Sequence, residues 1–428
     1  MYKIDNDEVV AAIEGYSRTF RAMLEFADGS IVSGADVGIA DVEHSMSDDN
    51  TIPIGKIISR RAEIKLYCRR RVRRGEVFKL FIYLIDFNRN TGSERTTHRM
   101  LRQWTHRELS LLTHEKLKYV GRSKNTDGAV LGDYYIPMGE FAVVKCVSEG
   151  ETAQTVTAYD RLAFADKPYI PRVKLPADAG AVTDDILDML GIPGRIVPDS
   201  GEFICADDGV FICAGDGEFI CSGEYTFTIT DIPDGASCRD VLGYIAAMYG
   251  RNGVLDRSGM YTTVFISDSG QVYDADKIDE PSLSEGNVSI AGISCAVDSN
   301  TTLTVGDVNS VYSVNISCPY MTADRLNDIW NSIRTISWRP AEASERLADP
   351  RRDIGDLMYY DNTAGRYSLP VSSLTFHFDG GLSADVSSCG QVETDCTEQI
   401  FVMTSSIGEM ELLTIAELEE RTIAQLEG

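Results

Sequence analysis

Short runs in which apolar and polar residues alternate dominate this chain, and helical periodicity is confined to a few stretches. Alternation with a period of two marks half-buried strands, because successive side chains leave a strand on opposite faces. MLEFADGSIVSG (23–34) sets two apolar runs about Asp28-Gly29, a dipeptide that favours a tight turn, and predicts a hairpin. YIPMGEFAVVKCV and TAQTVTAYDRLAFA read as two strands around a Glu/Gly turn, and the Pro-punctuated DKPYIPRVKLP that follows reads as a connector with a boundary near Val173. NGVLDRSGMYTTVF predicts another hairpin, and residues 287–318 alternate through VSIAGISCAV, TTLTV and VYSVNISC.

Three helices interrupt the strands. Thr183 caps a short one that runs through Leu190 and stops at Gly191. Ser237 and Asp240 form a capping-box pattern ahead of CRDVLGYIAAMYG, in which Val241, Leu242, Ile245 and Met248 share a face and Gly250 supplies the stop. Thr322 caps a third, with Leu326, Ile329, Trp330 and Ile333 as one apolar stripe that reads as core. The fold class expected is α+β and β-rich, an α+β middle flanked by β-rich regions.

GEFICADDGVFICAGDGEFICSGEY (201–225) repeats Phe-Ile-Cys every eight residues, with Cys205, Cys213 and Cys221 in register. An even period puts all three thiols on one face of extended strands, and Asp208-Gly209 and Asp216-Gly217 fall where turns are needed. A three-stranded meander is the favoured reading over a metal or redox site, since zinc thiolates come in close pairs.

Composition sharpens the picture. At 428 residues and 43% hydrophobic, the chain has material for two to four cores. No apolar run reaches the roughly 18 residues of a membrane span, and MYKIDNDEVVAAIEGYSRTF is too polar for a secretory signal, so synthesis in a cytoplasm and reduced thiols are expected. The formal charge of −26 is uneven: Arg60 to Lys124 holds 18 Lys and Arg against 6 Asp and Glu. At the centre of this basic window lie Arg69, Arg70, Arg71, Arg73 and Arg74, followed by an apolar run that reads as a buried strand. Nucleic-acid contact, pairing with an acidic neighbour and plain solvation all fit such a cluster. His98, His106 and His114, eight apart, lack the i, i+4 spacing of helical zinc ligands. No nucleophile elbow, zincin motif, P-loop or dinucleotide fingerprint occurs, and no catalytic, cofactor or metal residue is singled out. At the end of the chain, LLTIAELEERTIAQLEG places Ile415, Leu418, Ile423 and Leu426 on one helical stripe, suited to packing on its own domain or to docking a neighbour.

Six segments resemble, in order, the central tail hub (baseplate hub) proteins of long-tailed bacteriophages, a group that includes the N-terminal hub domains of tail-associated lysins. They are TIPIGKIISRRAEIKL, YIPMGEFAV, TVTAYDRLAFADKPY, CRDVLGYIAAMYGRNGVLDRSG, NISCPYMTADRLNDIW and DPRRDIGDLMYYDNTAGRYSLPVSSLTFHFDGGLSADVSS, spanning roughly residues 50 to 388. Pro137-Met138-Gly139, Gly355-Asp356 and Asp379-Gly380-Gly381 would serve as the tight corners of such a fold. The resemblance implies a first tube-like β-barrel domain from 1–67 plus 130–173 and a basic insertion at 68–129. An α+β domain at 174–260 would follow, carrying the meander at 201–225. A second tube-like β domain would occupy 261–390, with its helix at 322–333, and a C-terminal tail 391–428. It further implies a non-enzymatic virion protein, a homotrimer at the tail tip that adapts a three-fold tip to a six-fold tube and lines or closes the DNA channel. The partners implied are the tail tube protein, the distal tail protein, the tape measure protein and tail fibre or tip proteins, with DNA passing unbound through an acidic wall. A distal tail adaptor ring and a hub-type cell-wall hydrolase are the alternatives; a carbohydrate-binding module would call for exposed aromatic clusters.

Overall fold

A computed structural model of the chain describes residues 1–4, 6–16, 18–46, 52–84, 134–196, 204–205, 211–212, 227–273, 277–279, 281–362 and 365–390. Strands from both ends of the chain meet in one eleven-stranded sheet. Its first seven are β1 (Phe20–Phe26), β2 (Ile31–Ser33), β3 (Val37–Ser45), β4 (Arg60–Tyr67), β5 (Val77–Leu84), β6 (Tyr134–Ser148) and β7 (Ala153–Tyr159). These stand in the order β3-β4-β7-β6-β5-β1-β2, and beyond β3 the strands Ser373–Asp379, Leu382–Ser387, Ala341–Glu345 and Ser282–Leu283 extend the sheet. All neighbours are antiparallel. The join pairs Ser373 to Asp379 with Ser45 to Ile39 over seven residues. β5 lies within the stretch expected as a basic insertion and is bonded on both sides, to β1 and to β6.

Alternation places the core. β4 buries Ala62, Ile64 and Leu66, and β5 buries Phe78, Leu80 and Ile82, each worth about 1.5–3 kcal/mol when fully buried for side chains of Val, Leu, Ile or Phe size. The hairpin at Asp28-Gly29 forms as expected: Gly29 takes φ of 79°, open to glycine, and Asp28 accepts from the Ser30 amide. A short helix absent from the sequence reading, α1 (Asp7–Glu14), buries Val9 and Ile13 against the same core.

A second core surrounds α2 (Ala179–Leu190) and α3 (Cys238–Met248). Thr183 is not the cap of α2. Asp178 is, accepting from the Gly180 amide, because Ala179 and Val182 carry the buried face one turn farther back; Thr183 sits inside, donating to the Ala179 carbonyl. Gly191 ends α2 in the left-handed region, and the Ser237–Asp240 capping box opens α3, both as read. Residues Arg161–Phe164, read as a continuation of the β7 strand, form a 3₁₀ turn capped by Asp160. A third core packs α4 (Ala323–Ile333), capped by Thr322, on the sheet of Gly292–Ala296, Thr302–Gly306 and Ser313–Ser317. Trp330 packs half-buried against this core.

Gly355 and Gly380 lie at turns ahead of Asp356–Asn362 and Leu382–Ser387, whereas Gly139 lies inside β6 at an irregularity in its pairing with β5. In the Phe-Ile-Cys repeat, Ile204–Cys205 pairs antiparallel with Phe211–Ile212, Cys205 opposite Phe211. Cys213 and Cys221 lie outside the described residues.

Candidate functional site

The six hub-like segments interlock. Residues 52–58 of the first one divide among all three cores: Ile52 and Ile54 enter that of α4, Ile57 that of α2 and α3, and Ile58 that of the large sheet. Their backbone lies directly against α3. A Cβ on Gly55, whose φ is +81°, would stand 2.8 Å from the Ala247 Cβ, and one on Gly243 would stand 2.7 Å from the Gly55 carbonyl oxygen. The fully buried Asn252 side chain holds the segment at two points, accepting from the Lys56 amide (3.0 Å) and donating to the Pro53 carbonyl (2.8 Å).

Beside this joint is a buried charged centre. Arg60 stands at an inward position of β4, where alternation brings a guanidinium into the core register. Its Nε donates to His44 Nδ1 (3.1 Å) and its Nη2 to Asp353 Oδ1 (3.0 Å), while its backbone amide donates to Asp160 Oδ2 (2.8 Å). Arg257, from the 252–264 hairpin, donates through Nε to the other Asp353 oxygen (3.0 Å) and through its Nη atoms to the carbonyls of Pro350 and Arg352 (2.5 Å each). One carboxylate therefore receives two arginines from segments about 200 residues apart. Arg352 pairs with Glu345 and lies over the Tyr273 ring, 4.4 Å from its centroid. Arg351 grips Asp349 and reaches Glu14 at the end of α1 (2.8 Å).

Burial sets the protonation states here. It pushes the Asp160 carboxyl up to about 6, although amide donors and Arg60 oppose the rise. Burial would raise Asp353 too, but Arg257 and Arg60 outweigh it and hold that carboxyl below its ordinary value. His44 is pushed well below the usual histidine range, by burial first and by Arg60 second. Consistent with a neutral ring, its Nδ1 accepts. Arg60 and Arg257 have acceptors fixed by the backbone, a ring nitrogen or a carboxylate, so the centre ties distant segments together, while Arg60 Nη1 and Arg352 Nε are buried without a hydrogen-bond partner among the described residues. Among the described residues no group of three or more His, Cys, Asp or Glu is placed to hold a metal ion, and no helix is long and apolar enough to cross a membrane.

The arginines singled out by composition lie elsewhere, on the loop joining β4 to β5. Arg70 is used internally: it bonds Ser30, Asp28 and Glu76 and lies 3.6 Å over the centroid of Phe26. Arg71 bonds Ser148 and the carbonyls of Gly150 and Glu151. Arg69, Arg73 and Arg74 are exposed. Ile415, Leu418, Ile423 and Leu426, and His98, His106 and His114, lie outside the described residues. Arg60, His44, Arg257 and Asp353 escaped the sequence reading, which weighed charge by density. The signal available was phase: Arg60 and His44 occupy the inward positions of strands whose other inward residues are Ala62, Ile64 and Leu66, and Ala40 and Val42.

No protein-family profile matches the chain, and no curated protein matches it by sequence. Among solved structures, the 43 kDa tail protein of prophage MuSo2 from Shewanella oneidensis is similar over 86% of this chain and 98% of its own, with 12% identity and a TM-score of 0.46. A tail protein from Neisseria meningitidis is similar over 86% and 96%, with 8% identity and a TM-score of 0.48. A prophage tail protein from Listeria monocytogenes EGD-e is similar over 91% and 98%, with 9% identity and a TM-score of 0.41. These three solved structures are tail proteins, two of them of prophages.

Proposed function

We propose that the chain is a structural protein of a phage tail tip, the central hub at the distal end of the tail tube. The observation that carries this reading is the convergence of the hub-like segments. Pieces that resemble hub proteins in order along the sequence are the pieces that meet at Gly55–Gly243, at Asn252 and at Asp353. In this reading the chain assembles as a homotrimer, and two tube-like β regions per chain offer six similar surfaces to a six-fold tube. Arg69, Arg73 and Arg74 then meet an acidic surface of a neighbouring chain or tail component, and Ile415, Leu418, Ile423 and Leu426 dock or pack as a helix. The partners are the tail tube, distal tail, tape measure and fibre or tip proteins. The acidic balance of the chain suits a passage that repels the phosphates of DNA moving through it. The role is structural and non-hydrolytic.

Cryo-electron microscopy of assembled particles tests this. Three copies of the chain at the tip, around an open or plugged axis, are expected. Six-fold placement would favour the adaptor ring, and absence of the chain from the tail would overturn both readings.

A further inference from the structure

Only two of the five histidines lie among the described residues, and they occupy opposite faces of the same sheet next to its join. His44 faces the core. His377, on Ser373–Asp379, faces outward from directly opposite Asp41 of β3. Its Nδ1 lies 2.9 Å from Asp41 Oδ1 and its Nε2 lies 3.1 Å from Asp385 Oδ2. A carboxylate accepts and does not donate, so both contacts are hydrogen bonds only when both ring nitrogens carry protons. A neutral ring, with one N–H, would turn a lone pair toward one of the two carboxylates.

We infer that His377 is an imidazolium that clamps the join between β3 and the strand Ser373–Asp379, and that loss of its proton loosens this join. The three residues come from three adjacent strands, Asp41 from the start of the chain and His377 and Asp385 from its end, so the clamp spans the seam. Among the described residues, the cations on the neighbouring strand β4 are already paired. On β4, Arg61 pairs with Glu43 and Glu63, and Lys65 pairs with Glu149. On Ala341–Glu345, Ser344 donates to Asp385 and Glu342 is exposed; on the histidine's own strand Asp379 is exposed. Burial works against the charged ring, but the bonds to Asp41 and Asp385 outweigh it and hold the His377 pKa above the ordinary histidine value. The sign follows: stability from this clamp is fully present below about 6.5, where the unfolded histidine is also charged, and is lost as pH rises through the folded pKa. With the ring 39% exposed, water moderates the effect. The device is independent of where the protein acts.

Histidine-selective ¹⁵N NMR of the intact chain is the test, with the His377 signals assigned by their loss in His377→Gln. Two protonated ring nitrogens at pH 6.5, a midpoint above about 6.5, and a lower midpoint in Asp385→Asn are expected. A single protonated nitrogen at pH 6, or a midpoint unmoved by Asp385→Asn, would overturn the inference. Hydrogen exchange reads the seam itself. After correction for intrinsic rates, protection of amides in 39–45 and 373–379 should fall as pH rises through that midpoint, by up to about tenfold per unit of pKa elevation, with 292–317 unaffected. The same pH profile in His377→Gln would show that the ring does not control the join.

Discussion

The arginines around Asp353 and those of the β4–β5 loop are chemically identical and physically opposite. Arg60 and Arg257 are buried, and each has a carboxylate oxygen at 3.0 Å supported by backbone or ring acceptors. Arg69, Arg73 and Arg74 are exposed, and Arg70 stands between these extremes, half-buried with two carboxylates and an aromatic face. The difference teaches that local charge density does not separate the two kinds: the dense run holds the exposed Arg69, Arg73 and Arg74 beside the internally bonded Arg70, whereas Arg60 and Arg257, which hold distant segments together, stand outside that run.

Breaking the buried set should cost most. Asp353→Asn or Arg257→Met leaves a buried guanidinium or its acceptors without partners, and a loss of about 3–5 kcal/mol is expected in denaturant unfolding. A loss below about 1 kcal/mol would erase the distinction between the two sets. A pH series sharpens it next. The unfolded chain protonates His44 below about 6.5 while the folded chain does not, so this residue removes stability as pH falls. Asp160, whose carboxyl is raised to about 6, takes up a proton in the folded state over much of the same range and offsets that loss. In Asp160→Asn the offset disappears. Between pH 6 and 4 its stability should drop relative to the parent by up to about 1.4 kcal/mol per unit, and parallel pH curves would show that the Asp160 carboxyl is not raised in the folded state.

Arg70→Ala should cost about 1 kcal/mol, from its partly screened pairs and its stacking on Phe26. The smallest effect on folding belongs to the triple replacement of Arg69, Arg73 and Arg74 by Gln, which is expected to stay within about 0.5 kcal/mol of the parent. In the proposed assembly the same triple variant incorporates poorly into tails. A variant that both folds and assembles normally would remove these arginines from the interface.

Much of the local structure was legible. The Asp28-Gly29 turn, the Ser237 capping box, the Thr322 cap and the Gly191 stop each depend on residues within a few positions of one another, and each forms as the residues dictate. α1 was missed because DEVVAAIE is only eight residues long and offers just Val9 and Ile13 as a buried pair, too little periodicity to stand out. Thr183 misleads as a cap because Ala179, Gly180 and Val182 ahead of it are already buried within the helix. The sheet join was illegible for a different reason. Nothing in the alternation of 373–379 states which strand it will lie beside, and the pairing with β3 is decided by long-range packing and register. The charged centre likewise depends on four segments arriving together, and only the inward phase of Arg60 and His44 hinted at it.

The threading of residues 52–58 through three cores bears on how the molecule comes apart. Ile52, Ile54, Ile57 and Ile58 lie within seven consecutive residues yet are shared out among three packing units. Peeling any one unit away drags on the same short stretch of backbone, which Asn252 pins at Pro53 and Lys56. The described units are therefore expected to melt as a single event, with calorimetric and van't Hoff enthalpies in agreement, and Asn252→Ala should split that event into more than one. In mechanical terms the segment is a shared hinge pin: load entering through any one unit is distributed to the others before any of them yields.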